Sequence, residues 1–403
     1  MQKLFEKVSA NPSNSKWENI IKRESALYSR SGDVRSDFER DYTRILHCDA
    51  YKRLKHKTQV FFSPSSDHIC TRIEHVNHVE SISHTIASYF GLNTELTKAI
   101  AIAHDLGHSP FGHAGEKILN EISTKDVGES FWHERNGVYF VDNIELLEDD
   151  KGKMQNLNLT YAVRDGIISH CGEIDENSLK PRDEAIDLEK YTKPNEYAPY
   201  TWEGCVIKIS DKISYIGRDI EDALSLKLLN QNKIQELKSI LGMKPEEALN
   251  NTKIINDLVV DICQNSSPEK GICFSSEKLK LIDNIKKYNY ENIYSNPRME
   301  ASNEYFRVVI NRIYTTLKNM YADSEKELEE KFLENEVFYP QVVSQFKEWL
   351  NKYWSLNKRE NSNLSNKIIF NLNERDYCKA IIEFIAGMTD NFAMDVYDEI
   401  VRF

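Results

Sequence analysis

The chain has 403 residues, of which 40% are hydrophobic and 29% charged, a balance typical of a globular protein and not of a disordered or fibrous one. Its formal net charge of −12 disfavours non-specific binding to nucleic acid, which needs clustered Lys and Arg, so an anionic ligand must meet a local positive pocket. The seven cysteines are scattered and contain no Cys-x-x-Cys pair, which indicates neither a disulfide framework nor a thiolate zinc site and favours a reducing cytoplasm.

The N-terminal segment has no apolar stretch of the kind found in signal peptides, and no apolar run approaches the roughly 18 residues of a membrane span. We therefore expect a protein that does not associate with a membrane. Gly and Pro are scarce, at 15 and 10 residues, and many segments carry apolar residues three and four positions apart. This spacing is the helical period, so the sequence predicts an all-α fold.

Two helices are predicted in the first quarter of the chain. Residues 71–89 carry an apolar stripe, and His75 lies beside it. Residues 95–104 end in a run that is apolar on every side, which predicts a buried helix delivering His104 at its C-terminal end. We expect Gly107 to supply a left-handed cap after this helix.

A third helix is predicted over residues 203–226, where Asp211 lies between the members of an apolar stripe. More polar stretches are interpreted as loops or insertions, and they cover residues 148–158, 173–199 and 264–277. No clear domain boundary follows. We expect a single helical unit over residues 1–403, with a core at about 50–225 and a C-terminal helical portion at about 226–403, whose Lys/Glu/Asn-rich part indicates solvated helix faces.

All eleven histidines precede residue 171, and the densest group lies in the run HDLGHSPFGHAGE at residues 104–116. His104 and Asp105 can bind one cation together at a helix end, and His75 and Asp211 are the natural further ligands because each lies near the apolar face of a helix. Two imidazoles and two carboxylates suit Mn, Mg, Fe or a similar divalent ion, which makes water a better nucleophile and points to a hydrolase.

Six ordered motifs extend this interpretation to a known family. They are YKRLKHKTQVF at 51–61, TRIEH at 71–75, HDLGHSPFGHAGE at 104–116, FWHE at 131–134, SDKISY at 210–215, and Tyr377 followed by IAGMTD at 385–390. Together they resemble the deoxyguanosine triphosphate triphosphohydrolase family of the HD superfamily, whose fold is an all-helical HD core with additional helices.

The resemblance implies hydrolysis of a deoxynucleoside triphosphate (dNTP), of dGTP or of several dNTPs, to deoxynucleoside and inorganic triphosphate by water attack at the α-phosphorus. The implied metal ligands are His75, His104, Asp105 and Asp211. The implied catalytic residues are His113 and Glu116, which orients the imidazole, with His108 and His133 as further active-site histidines. The implied substrate contacts are Gln59, Arg72, Lys212, Tyr215 and Asp219, and the charge of Arg53 makes it a further candidate contact.

Charge supports a triphosphate ligand independently, because such a ligand carries roughly four negative charges that need neutralising groups. Candidate cations are Arg53, Lys55, Lys57, Arg72, Lys212 and Arg218, with Arg298 as a further candidate from the C-terminal half. A solvated surface face is the alternative for each of the basic residues between positions 52 and 57.

Structural roles remain open for several of these residues. His104 can be a helix-end histidine bonded to its neighbour, His75 a core histidine and Asp211 a surface carboxylate. His113 and Glu116 can be a pair that supports a turn. His108 and His133 can support other ligands from outside the site, and no role is assigned to His56, His68, His78, His84 and His170.

Two other functions are open from sequence. One is an HD-type phosphodiesterase or nucleotidase that acts on monophosphates or cyclic nucleotides, and the other is a catalytically silent nucleotide-sensing scaffold. The resemblance also implies a homo-oligomer and an effector, either a dNTP or single-stranded DNA. Base preference, metal identity, oligomeric state and the roles of residues 145–200 and 220–345 are not determined by the sequence.

Overall fold

The computed structural model describes residues 3–27, 32–62, 68–171, 177–355 and 362–402. Its α-helices are α1 (Trp17–Ile20), α2 (Asp37–His47), α3 (Asp49–Arg53), α4 (Arg72–Phe90), α5 (Thr94–Ala103), α6 (Gly112–Asp126), α7 (His133–Tyr139), α8 (Tyr161–Ser169), α9 (Trp202–Ser225), α10 (Gln231–Ile240), α11 (Asn251–Asn265), α12 (Ser276–Asn289), α13 (Pro297–Lys318), α14 (Glu325–Glu336), α15 (Pro340–Asn351), α16 (Glu374–Ala386) and α17 (Asp390–Val401). Short 3-10 helices cover Glu6–Val8, Leu54–His56 and Leu188–Lys190, and π-helical turns cover Phe140–Ile144 and Tyr290–Tyr294.

The all-α prediction is confirmed, with one small exception. Strands β1 (Leu146–Glu148) and β2 (Met154–Asn156) form an antiparallel hairpin in which Leu147 pairs with Gln155. The stretch 148–158, interpreted as a loop or insertion, therefore contains the second strand of this hairpin. The predicted loop at 173–199 falls partly outside the described residues, and its described remainder contains one short 3-10 helix.

Local sequence signals explain where the central helices begin and end. At the start of α4, the Glu74 carboxylate accepts a 2.8 Å hydrogen bond from the Thr71 backbone N–H, and the helix ends at Gly91 in the left-handed conformation. The Asn93 side chain caps α5 by accepting from two backbone N–H groups at 3.0 Å each. The Thr201 hydroxyl caps α9 in the same way.

The helices pack around two apolar cores that both join distant parts of the chain. Helix α4 packs against α5 and α9, and α5 also contacts α2, α8 and α9. The first core combines side chains of α2, α5 and α6 with those of α13 and α15 to α17. The second lies between α4, α9 and the helices α10 to α12. Within the described residues, no helix has the length and apolar character needed to cross a membrane.

Candidate metal centre and active site

The four predicted metal ligands lie together where α4, α5 and α9 meet. His75 is in the second turn of α4, His104 caps the C-terminus of α5, and Asp211 is in the middle of α9. His75 Nε2 lies 2.9 Å from Asp211 Oδ1 and 3.9 Å from Asp105 Oδ2, and His104 Nε2 lies 3.5 Å from Asp105 Oδ1 and 3.9 Å from Asp211 Oδ1. Three helices that are far apart along the chain thus bring all four side chains together.

The hydrogen bonds of this group fit a divalent cation. His104 Nδ1 donates to the Ala101 carbonyl at 2.6 Å, which leaves Nε2 as the nitrogen with a lone pair. Within the described part of the chain, this buried Nε2 has no hydrogen-bond partner. Ligand atoms of His75, His104 and Asp211 all lie within 4.8 Å of one another. An orphaned imidazole nitrogen facing two carboxylates is the arrangement expected of a metal site.

Both carboxylates are held in the charged form that a cation needs. Burial acts to raise the pKa of Asp211, but the hydrogen bond and charge of His75 outweigh it and place the pKa below its ordinary value. Burial acts in the same direction on Asp105, whose pKa nevertheless falls well below its ordinary value because His104, His108 and Arg72 surround it.

The four predicted catalytic residues form a second group next to the first. The rings of His108 and His133 stack with centroids 3.7 Å apart, and His108 Nε2 lies 3.1 Å from Asp105 Oδ1, which links the two groups. Glu116 Oε2 is 2.9 Å from His133 Nδ1 and 3.5 Å from His113 Nδ1. The carboxylate therefore contacts two imidazoles, and its shorter contact is to His133 and not to the partner predicted for it.

Charge within this second group is set by its carboxylates. Burial acts to raise the pKa of Glu116, but His133 and His113 lower it well below its ordinary value. Burial acts to lower the pKa of His133, but Glu134 and Glu116 raise it well above its ordinary value. The pair is thus an ionised carboxylate and an imidazolium, while 72% of the His113 side chain is exposed and accessible to a ligand.

The loop between α5 and α6 reaches its conformation through a left-handed turn, but not at the glycine expected from sequence. The left-handed residues are Phe111, with φ of 63°, and Gly112, with φ of 58°. Gly107 is instead required by a close approach, since a Cβ there would lie 2.1 Å from the His133 carbonyl oxygen and from the Gly137 nitrogen. The expectation of a cap at Gly107 was wrong because tertiary packing, not local backbone geometry, demands the glycine.

A cavity of about 940 Å³ opens on both groups. Its lining includes five of the predicted substrate contacts, which are Gln59, Arg72, Lys212, Tyr215 and Asp219. It also includes six of the predicted metal and catalytic residues, which are His75, Asp105, His108, His113, His133 and Asp211. The far wall comes from the C-terminal half and includes Lys286, Lys287, Tyr290, Tyr294, Met299, Asn303 and Phe306. The volume is within the range of small-molecule sites.

The predicted cations divide between the cavity and structural positions. Arg72 lies in the cavity wall, is 1% exposed, and donates a 2.7 Å hydrogen bond to Asp105 Oδ2. Arg53 does not line the cavity and donates instead to Glu145 at 2.6 Å. Lys57 is buried, and its ammonium donates to the carbonyls of His108 and Ala386. Lys55, Arg218 and Arg298 are likewise absent from the lining.

Sequence reasoning missed His170, which is 2% exposed and lies beside His104 with ring centroids 4.8 Å apart. Its Nδ1 donates to the Ile167 carbonyl at 2.7 Å, and burial, with His104 and His133 nearby, lowers its pKa to about 3. A signal was available, because His170 follows the apolar end of α8 just as His104 follows the apolar end of α5.

Tyr294 was also missed, and it orients a predicted substrate contact. Its hydroxyl donates a hydrogen bond to Asp219 Oδ2. Burial raises the pKa of Asp219 to about 6, although the hydrogen bond from Tyr294 acts to lower it. Asp219 lies in α9 and Tyr294 in the π-helical turn after α12, so the side chain of Asp219 is positioned by the C-terminal helical portion.

Comparison with known proteins agrees with this geometry. The HD domain family model matches residues 72–216, which span α4 to the middle of α9. A protein of Caldanaerobacter subterraneus subsp. tengcongensis named deoxyguanosinetriphosphate triphosphohydrolase-like protein is 32% identical over 369 residues, which cover 91% of this chain and 86% of that protein. The chain belongs to the deoxyguanosinetriphosphate triphosphohydrolase-like family.

Other members of the deoxyguanosinetriphosphate triphosphohydrolase-like family match over nearly the whole chain. The relative from Pelagibacter ubique is 31% identical over 410 residues, covering 94% of this chain and 95% of its own length. The relative from Rickettsia rickettsii is 32% identical over 405 residues with the same coverage. The similarity to this HD family therefore extends through the C-terminal helices that form the far wall of the cavity.

Proposed function

We propose that the chain is a metal-dependent hydrolase of dNTPs, of dGTP or of several dNTPs, which yields the deoxynucleoside and inorganic triphosphate. The observation that carries this proposal is one cavity of about 940 Å³, which reaches the metal group and the catalytic group and is lined by basic side chains from both the HD helices and α12. Arg72 and Lys212 line it from the HD helices, and Lys286 and Lys287 line it from α12. A monophosphate would need fewer positive groups than this cavity offers.

His75, His104, Asp105 and Asp211 hold the divalent cation in this proposal. When bound, such a cation supplies Lewis acidity, which neutralises phosphoryl charge and makes water a stronger nucleophile. The nitrogen and oxygen ligand set suits Mn, Mg, Fe or a similar ion. Arg72, bonded to Asp105, places its positive charge where the ligand group meets the cavity.

The catalytic group directs the reaction to the α-phosphorus. Water forms a bond to this phosphorus and releases one proton, the bond to the 5′-oxygen breaks, and the leaving oxygen takes up a proton. His113 is exposed to the cavity and His133 is held as an imidazolium by Glu134 and Glu116, so either imidazole can supply that proton while Glu116 orients both. The three phosphates stay joined as inorganic triphosphate, which the basic side chains of the cavity wall bind until it is released.

The remaining predicted contacts suit the deoxyribose. Gln59 and Asp219 line the cavity as hydrogen-bonding groups for the 3′-hydroxyl, and Tyr215 lies beside them. Asp219 receives the Tyr294 hydroxyl on one oxygen, which leaves the other to accept from a sugar. Arg53 drops out of the proposed substrate contacts because it does not line the cavity and its guanidinium donates to Glu145.

The deciding experiment incubates purified, metal-free protein with Mn and each of the four dNTPs, separately and in pairs, and resolves the products. We expect free deoxynucleoside and triphosphate in equal amounts, and an Asp105→Ala variant with no turnover. Release of monophosphate and pyrophosphate would overturn the proposed reaction, as would a preference for monophosphates or cyclic nucleotides. Binding of dNTPs without turnover at any metal would identify a silent scaffold instead.

Pairs of dNTPs also test the predicted nucleotide effector, and sizing with and without them tests the predicted homo-oligomer. Single-stranded DNA serves as the other candidate effector. A cytoplasmic location is part of the proposal, and the free thiols of all seven cysteines support it.

A further inference from the structure

A group of softer ligands lies beside the proposed metal centre. His133 begins α7, and His170 and Cys171 follow the end of α8, which packs against α7. The ligand atoms of these three side chains all lie within 4.8 Å of one another. The cysteine pattern in the sequence gave no indication of a zinc site, because only one of the three ligands is a cysteine and the two histidines come from separate helices.

Both imidazoles are oriented as metal-binding histidines are. His133 Nδ1 lies 2.9 Å from Glu116 Oε2, and His170 Nδ1 donates to the Ile167 carbonyl at 2.7 Å. Metal-ligating histidines nearly always donate one ring N–H to a carboxylate or carbonyl, which fixes the ring and leaves the other nitrogen for the metal. In both residues that other nitrogen is Nε2.

The position of Cys171 is fixed by a hydrogen bond to its backbone carbonyl. Lys208 is 3% exposed, and its ammonium donates to the Cys171 carbonyl at 2.8 Å. Cys171 lines the same cavity as His133 and His170. The three ligands therefore face a space that a cation from solvent can enter, and the segment that carries two of them is anchored.

We infer that His133, His170 and Cys171 form a second cation site, selective for soft divalent ions such as Zn²⁺. It adjoins the nitrogen and oxygen site of His75, His104, Asp105 and Asp211, because ligand atoms of His104 and Asp105 also lie within 4.8 Å of His170. Thiolate ligands select Zn over Mn and Mg, which prefer oxygen. The thiol proton and the Nε2 proton of the His133 imidazolium pass to solvent as the ion binds, and water completes the four-coordinate shell.

The geometry is close to that of a zinc site. Zinc bonds of about 2.0 to 2.3 Å in a tetrahedron place ligand atoms about 3.3 to 3.6 Å apart. Atoms within 4.8 Å of one another thus need to close by about 1 Å, which side-chain rotation provides. Because His133 belongs to the proposed catalytic group, an ion here blocks turnover. This inhibitory consequence rests on the proposed function, whereas the binding itself does not.

Cobalt(II) tests the site directly, since it replaces zinc and reports a thiolate ligand by a charge-transfer band in the near ultraviolet. The full chain, with reduced thiols and no metal, is titrated with Co²⁺ and then with Zn²⁺. We expect the band in the native protein, its loss in Cys171→Ser, and its retention in Cys263→Ser. Cys263 is the matched control because it is half-buried in α11 and does not line the cavity. A native protein without the band, or a band that survives in Cys171→Ser, overturns the inference.

A second variant covers the case in which Cys171→Ser does not fold. In His170→Gln the thiolate remains, so the band should persist, but it should require a Co²⁺ concentration at least about tenfold higher than in the native protein. An unchanged Co²⁺ affinity in this variant would contradict a role for His170.

Inhibition is measured separately, with each variant compared to its own rate in Mn. Zn²⁺ should inhibit the native protein and Cys263→Ser at the same concentration, and Cys171→Ser should need about tenfold more. Equal inhibition of all three would contradict the inhibitory role. If no dNTP is hydrolysed at all, the proposed function fails while the cobalt band still decides whether the soft site exists.

Discussion

Asp390, the first residue of α17, holds the loop between α5 and α6, which leads to the proposed catalytic residue His113. Its Oδ1 accepts a 2.9 Å hydrogen bond from the Phe111 backbone N–H, and its Oδ2 accepts a 2.7 Å bond from the Thr58 backbone N–H. Phe111 is the left-handed residue between His108 and His113. We therefore expect Asp390→Ala to lower both the free energy of unfolding and turnover, without removing any group that contacts substrate.

The magnitude follows from the two N–H groups that lose their acceptor. A buried donor left unsatisfied costs about 1 to 3 kcal/mol, which applies to Phe111, while the partly exposed Thr58 regains water and loses about 1 kcal/mol. Burial raises the pKa of Asp390, so removing the carboxylate also recovers its desolvation. The expected loss in the free energy of unfolding is therefore about 2 to 3 kcal/mol.

Urea unfolding followed by circular dichroism measures that loss, and turnover is measured where both proteins remain folded. Thr389→Ala is the matched control, because Thr389 Oγ1 caps the same helix by accepting from the Phe392 N–H at 3.2 Å. We expect the control to lose about 1 kcal/mol with unchanged kcat, and Asp390→Ala to lose about tenfold or more in kcat. Full kcat in Asp390→Ala, with a stability loss no larger than that of the control, would refute this account of the loop.

Three further predictions concern the metal, the sugar contact and a close approach. Removal of the metal with a chelator should abolish turnover, and added Mn should restore it. Turnover of Asp211→Asn should require a roughly 100-fold higher Mn concentration, because an amide replaces a charged ligand. An equal Mn dependence of the two proteins would contradict the ligand assignment. Tyr294→Phe should raise KM about fivefold through one lost hydrogen bond, but not for a substrate without the 3′-hydroxyl. In the native protein KM should rise as the pH falls through about 6, because Asp219 becomes protonated. In the variant this rise should begin at a higher pH, because the donor that lowers the Asp219 pKa is gone. Gly107→Ala should lower the melting temperature severely because its Cβ would lie 2.1 Å from backbone atoms, whereas Gly387→Ala, with its nearest contact at 3.4 Å, should cost under about 1 kcal/mol; equal melting temperatures would contradict the packing argument.

The central helices could be predicted because burial imposes a period on their sequence. The predicted helices at 71–89, 95–104 and 203–226 are observed at Arg72–Phe90, Thr94–Ala103 and Trp202–Ser225. The metal group followed from these helices because each carries its ligand next to an apolar face. Apolar periodicity thus determines both the packing of these helices and the direction of their polar side chains.

The rest of the site depends on pairings that no local pattern encodes. Arg53 has its carboxylate partner 92 positions away, so its sequence neighbourhood could not distinguish a structural ion pair from a phosphate contact. Lys286 and Lys287 lie in a segment whose composition indicates a solvated face, yet they line the cavity. Only the packing of α12 against α9 places them there.

The contribution of the C-terminal helices bears on what determines substrate choice. Phe306 of α13 stacks on Phe111 with ring centroids 4.3 Å apart and planes inclined by 2°, and Phe62 meets both rings edge-on. The loop before the proposed catalytic residue His113 is thus fixed by α13 and by Asp390, both outside the segment 72–216 that matches the HD domain. That segment supplies all four proposed metal ligands, and a cation held there would interact with the phosphoryl group of any phosphate ester. The wall facing them, built from α12 and α13, is where ligands of different size and charge are distinguished, so substituting residues of that wall should change substrate preference while leaving metal affinity intact.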